Sequence, residues 1–170
     1  MSKLLKRSFS PIAGLDAEIL VLGSMPGEAS LIKHQYYAHP RNAFWPIICD
    51  ILGCEAETTY EARTQALLDH QIALWDVLRC CERTGSLDSN IKSESEEAND
   101  FLGFLSEHSE LQRICFNGKK AFNSFKKHVL RLSPELSDQY RLVVLPSTSP
   151  ANASIPMAIK KARWVEALTR

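Results

Sequence analysis

No stretch of the chain approaches the ~20 consecutive apolar residues that span a bilayer. The opening residues MSKLLKRSFS are charged and lack an apolar core of signal-peptide length. These two absences set the expectation of a soluble, cytoplasmic protein with no membrane partner. Charge of one sign is missing too, since 20 basic residues face 20 acidic ones, so any basic footprint for a polyanion must be local. The five cysteines (Cys49, Cys54, Cys80, Cys81, Cys115) are an odd set without a C-x-x-C pair, four of them on or beside apolar runs. They read as reduced core thiols, and no metal is expected. Gly-rich phosphate fingerprints, internal repeats and low-complexity segments are absent as well, which argues against a small-nucleotide hydrolase and against a repeat array.

What is present is one stretch that organises the rest: Gly23 to Trp45, GSMPGEASLIKHQYYAHPRNAFW. It leaves the apolar run Ile19-Leu20-Val21-Leu22, which suits a buried strand of a parallel sheet. A long loop therefore starts at the carboxyl end of a central strand, where open α/β sheets hold their ligands. Gly23 and Gly27 bracket Pro26, so the backbone can turn sharply and present N–H groups. Tyr36 and Tyr37 are flat rings without hydrophobic periodicity, suited to stacking. His39, Arg41 and Asn42 cluster polar groups. A plain scaffold explains the same residues, with Asn42 as the N-cap of the next helix, Pro46 in its first turn and Gly53 at its end; both readings stay open on these residues alone.

With 170 residues and 45% apolar content the chain fits a single domain, residues 1–170, with 1–15 as a lead-in. Helices are expected at about 43–52 and 59–69. The run Ile72 to Leu78 reads as a second strand whose one charged residue, Asp76, is costly inside an apolar segment unless paired or used, which makes it a site candidate. Residues 79–97 read as a polar connection, and Asp88 in GSLDS reads as an Asx-turn residue in preference to a second carboxylate of the site. A short helix follows around Phe101 to Leu105, and Ile114 to Phe116 gives a third strand. The helix after it, to about Leu130, carries Lys119, Lys120, Lys126 and Lys127, open between phosphate contacts and a solvated face. A fourth strand, Leu142 to Leu145, opens into Pro146-Ser147-Thr148-Ser149-Pro150, a stiff loop rich in donors. A last helix starts near Pro156. Four strand–helix alternations predict a three-layer α/β/α sandwich around a four-stranded parallel sheet, with both unusual loops on one edge.

GSMPG, QYYAHPRNAFWP and LPSTSPANA, in this order, resemble motifs of the uracil-DNA glycosylase superfamily, nearest its hypoxanthine-DNA (deoxyinosine) glycosylase branch and more distantly the mismatch-specific uracil-DNA glycosylases. With LWDVL, GSLDS and FNG the likeness runs from about residue 10 to 168. It implies a monofunctional DNA glycosylase acting on DNA that contains deaminated bases, without cofactor, as a monomer. Position by position, the backbone of Gly23, Ser24, Met25 and Pro26 would lie along an extruded base and Tyr37 would stack on it. Asp76 would read its hydrogen-bonding edge, where relatives usually keep Asn. Pro146, Ser147, Thr148 and Ser149 would grip the DNA backbone. Members that cut uracil usually carry Asp or Asn where Met25 stands, and Met can neither activate nor hold a water. The hypoxanthine branch instead suggests Asn42 as the catalytic residue. The second motif also lacks the large apolar wedge of its relatives.

The implied chemistry is coherent. A mispaired base leaves the stack at least cost, and an ionised Asp76 accepts from hypoxanthine N1–H while repelling the N1 lone pair of adenine. Asn42, which cannot act as a base, would place the water. A uracil- or xanthine-specific glycosylase is the main alternative, and a non-catalytic binder of damaged DNA the more distant one.

Overall fold

The computed structural model describes residues 5–169. In chain order the elements are β1 (Leu5–Arg7), β2 (Ile19–Gly23), α1 (Glu28–Lys33), α2 (Phe44–Leu52), α3 (Tyr60–Asp69), β3 (Ile72–Asp76), β4 (Leu78–Glu82), β5 (Glu97–Ala98), α4 (Phe101–Glu107), β6 (Arg113–Asn117), α5 (Lys119–Phe125), α6 (Leu136–Gln139), β7 (Arg141–Leu145) and α7 (Met157–Leu168). Two 3-10 turns precede β5, and α5 runs on into a π-helical turn at Lys126–Leu130.

The strands β3, β2, β6 and β7, in that spatial order, form the expected four-stranded parallel sheet. Every residue of β2 is buried, as a central strand covered on both faces requires. Alternate side chains feed two cores. Leu20, Leu22, Trp75 and Phe116 pack under α4 and α5, whereas Val21, Leu74 and Cys115 pack under α2, α3 and α7. The three-layer sandwich follows from that alternation. Gly53 ends α2 in the left-handed conformation (φ 73°), and Thr59 caps α3 by accepting from the Ala62 N–H at 3.2 Å.

Three expectations are corrected. The run from Ile72 to Leu78 is two strands, because it serves two sheets: Val77 N–H and Leu78 N–H donate to the carbonyls of Gly23 and Ser24 at 2.8 and 3.1 Å, and the chain then turns into β4. β4 is the centre of a second, antiparallel sheet in the order β1-β4-β5. The supposed lead-in is therefore a structural strand where described, with residues 1–4 outside the described part, and the supposed connection 79–97 is largely built structure. Amphipathic counting missed this sheet because its strands are two to five residues long and half polar. The long loop after β2 also contains one short helix, α1.

Candidate active site

Parallel register sets Gly23 beside Asp76 at the carboxyl end of the sheet. A β-carbon at Gly23 would lie 2.5 Å from Asp76 Oδ1 and 2.8 Å from the Tyr37 hydroxyl, so three predicted site residues converge on one point and only glycine fits there. Asp76 is 3% exposed, and its Oδ2 has no hydrogen-bond partner; neither does the buried Tyr37 hydroxyl. Two buried polar atoms without partners at one spot make this the candidate site. Burial, then the nearby Asp88 carboxylate, push the Asp76 carboxyl up to about 7, with Arg83 pulling the other way. Tyr37 takes a left-handed backbone (φ 54°), strained for an aromatic residue, and its ring stacks on Phe44 at 3.9 Å between centroids. One face is thus fixed by Phe44, and burial raises its hydroxyl pKa.

The segment after β4 closes over this point, and here the Asx-turn expectation for Asp88 fails. Its carboxylate reaches back to accept from Ser24 Oγ at 2.7 Å. Burial raises its pKa while the Ser24 bond and Arg83 oppose the rise. Arg83, which nothing in the sequence singled out, is 1% exposed and donates to the carbonyls of Pro26 and, at 2.9 Å, Gly85. It ties the two site loops together and supplies the positive charge facing two carboxylates. Met25 is buried in the same core cluster as Trp75 and Phe101, so only its backbone faces the point where Gly23 and Asp76 meet.

Asn42 is not the helix N-cap, a position held by Ala43. Its amide oxygen accepts from the Phe44 N–H at 2.9 Å, which fixes the side chain and leaves the second lone pair of the oxygen for a further donor. The Ala43 N–H donates to the Thr148 carbonyl at 3.0 Å, so the two long loops are joined directly. Thr148 is 1% exposed and bound on both sides by Asn117, whose Nδ2 donates to its Oγ1 and whose Oδ1 accepts from its N–H, each at 2.9 Å. Thr148 keeps only its hydroxyl proton uncommitted, and that hydroxyl is buried, so the residue braces the loop from within. Pro146 is buried as well, its carbonyl accepting from Trp164 Nε1 at 3.0 Å. Ser147 and Ser149 are half-buried, and each hydroxyl accepts a backbone N–H at 3.2 Å while keeping its own proton free to donate. Of the four lysines, Lys120 and Lys127 pair with the buried Glu96 and Lys126 lies over the Phe122 ring, so only Lys119 is an exposed cation without such a partner. Asn117 was the one missed residue with a sequence signal, a polar amide at the carboxyl end of a buried strand. Among the described residues no cluster of three or more His, Cys, Asp or Glu could hold a metal ion.

Comparison with known proteins places these features in company. The sequence profile of the Uracil DNA glycosylase superfamily matches residues 11–169. A protein of Methanosarcina barkeri (strain Fusaro / DSM 804) named Hypoxanthine DNA glycosylase is 37% identical over 166 residues, covering 97% of this chain and 99% of the relative. Another of the same name from Methanosarcina acetivorans is 38% identical over 151 residues, or 88% and 89% of the two chains. Among solved structures, a Methanosarcina acetivorans protein provisionally called a uracil DNA glycosylase, determined in solution by NMR, superposes with a TM-score of 0.80 at 35% identity over 96% of both chains.

Proposed function

Since the chain belongs to the uracil DNA glycosylase superfamily, and is thus a DNA glycosylase that hydrolyses an N-glycosyl bond, we infer that its substrate is hypoxanthine in DNA, released to leave an abasic site. The observation that carries this reading is the buried, unpartnered Asp76 carboxylate pressed against Gly23. A carboxylate in that position accepts hydrogen bonds and donates none when ionised. It matches the N1–H of hypoxanthine and repels the N1 lone pair of adenine, the undamaged counterpart. An N–H of Ser24 or Met25 serves O6. The free face of Tyr37 stacks on the base while Phe44 backs the other face.

Cleavage leaves positive character on the sugar and negative charge on the departing purine. Donors set in advance toward that charge contribute roughly 3 to 4 kcal/mol each. Asn42, oriented by the Phe44 N–H, holds the attacking water through its amide oxygen without taking its proton. Ser147 and Ser149 hydroxyls donate to the flanking phosphates, and Pro146 and Thr148 hold them in place. No lysine takes part, so the enzyme is monofunctional and forms no borohydride-trappable adduct with DNA. The reading extends to a cytoplasmic monomer that needs no metal.

The same carboxylate also fits the N3–H of uracil and the N1–H of xanthine, so the test is a panel of duplexes carrying hypoxanthine, uracil or xanthine, each with wild type, Asn42→Ala and Asp76→Ala. Hypoxanthine release that both substitutions lower by about a hundredfold or more is expected. Release of uracil alone would overturn the substrate assignment. Tight binding of damaged DNA without release of any base would favour a binder.

A further inference from the structure

Once a base is extruded, the gap in the stack must be filled or the base falls back, and proteins that part base steps do so with an apolar side chain. The loop from Ser147 to Pro150 offers only the small ring of Pro150, which is itself partly buried. The segment from Arg83 to Asn90 offers a larger one. Leu87 is 51% exposed, and both its chain neighbours are fastened to the base-contacting loop. Ser86 Oγ accepts from the Glu28 N–H at 2.9 Å, and Asp88 accepts from Ser24 at 2.7 Å. The turn is stiffened from within, because Arg83 holds the Gly85 carbonyl, Asn90 Nδ2 donates to the Thr84 carbonyl at 3.1 Å, and the Asn90 N–H donates to the Leu87 carbonyl at 3.0 Å. A large apolar side chain is thus held in water by a rigid turn, one residue from a carboxylate of the site, and no described residue covers it.

Other exposed apolar residues are placed differently. Met157 lines a cleft with Pro46, Ile47 and Asp50 on the outer side of α2, and Leu102 lies on α4. Leu87 is the one among them joined to the base-contacting loop through both neighbours.

We propose that Leu87 is the wedge that enters the duplex and occupies the space vacated by the flipped base, an inference that rests on the glycosylase reading. A wedge is needed only where there is a stack to part. It therefore separates paired from unpaired substrate, whereas a structural role for Leu87 would affect both alike.

Single-turnover cleavage of hypoxanthine in a duplex and in a single strand, by wild type, Leu87→Ala, Leu87→Phe and Met157→Ala, tests this. Leu87→Ala is expected to slow duplex cleavage about tenfold or more and single-strand cleavage less than about twofold. Leu87→Phe restores the duplex rate, and Met157→Ala matches wild type on both substrates. Equal loss on both substrates, or loss on neither, overturns the proposal. If wild type releases no base at all, the glycosylase reading has failed, and the wedge is judged separately. In that case 2-aminopurine placed next to hypoxanthine in a bound duplex should brighten with wild type and not with Leu87→Ala; equal brightening refutes the wedge.

Discussion

An ionised Asp76 without a partner is a liability to the fold, one that the proposed base-reading role accounts for. Its folded pKa of about 7 lies above the ordinary carboxylate value of 3.8, so the protonated form is favoured by folding. The resulting stability is fully present below about pH 4 and is lost as pH rises toward 7. Asp76→Asn should therefore be no more stable than wild type at pH 4 and more stable at pH 8, by on the order of a few kcal/mol, while losing base release; paired urea denaturations at the two pH values check this. The proposed base reading has the opposite pH sense, because an N1–H needs the carboxylate. The value of kcat/KM on hypoxanthine should fall as pH drops below 7. Asp88 contributes to that pKa by its charge, so Asp88→Asn should move the acidic limb of the profile to lower pH, measured in single turnover. A protonated Asp76 would also donate to adenine N1, so the margin against adenine narrows in the same direction.

Elements hold these residues through a few buried polar ties, and this level was only partly legible in sequence. Continuous apolar runs revealed the four parallel strands, and the carboxyl-end loops pointed to the candidate site. Asp76 stood out because a charge interrupts such a run. Arg83 gave no signal: it follows Cys80-Cys81-Glu82 at the start of a polar segment, and its burial depends on β4, a strand too short and too mixed to announce itself. Asp88 looked like a turn residue because its real partner, Ser24, is 64 positions away. Thr148 looked like a phosphate ligand because a hydroxyl between prolines does not disclose that Asn117 already holds it. That tie is testable. Asn117→Ala strands the Thr148 N–H and hydroxyl in the interior, at about 2 to 4 kcal/mol for the two. Thermal unfolding should register the loss, and cleavage should slow more than for Ser149→Ala because Ala43, next to Asn42, is anchored on Thr148.

At the scale of the molecule, residues of both sheets meet at the candidate site, and away from it the buried Glu96, beside β5, ties the smaller sheet to α5 and the turn that follows it. Although burial pushes the Glu96 carboxyl up, hydrogen bonds from Lys120 and His128 outweigh it and hold the pKa below the ordinary range, with Lys127 nearby. Its share of stability is present above the unfolded value of 4.5 and disappears as pH falls through the folded one. Glu96→Gln should cost about 1 to 3 kcal/mol near neutrality, a deficit that shrinks toward pH 4 in the same denaturation series. The topology also dictates an order of assembly during synthesis. The ribosome delivers β2, β3 and the Asp88 turn well before β7. Gly23, Ser24, Asp76 and Asp88 can meet while the C-terminal part is still untranslated, whereas Ala43 must wait for Thr148. A nascent chain thus carries the residues proposed to read the base before the loop that anchors the residue proposed to place the water, and hydrolysis of the N-glycosyl bond is withheld until the last sheet strand has docked.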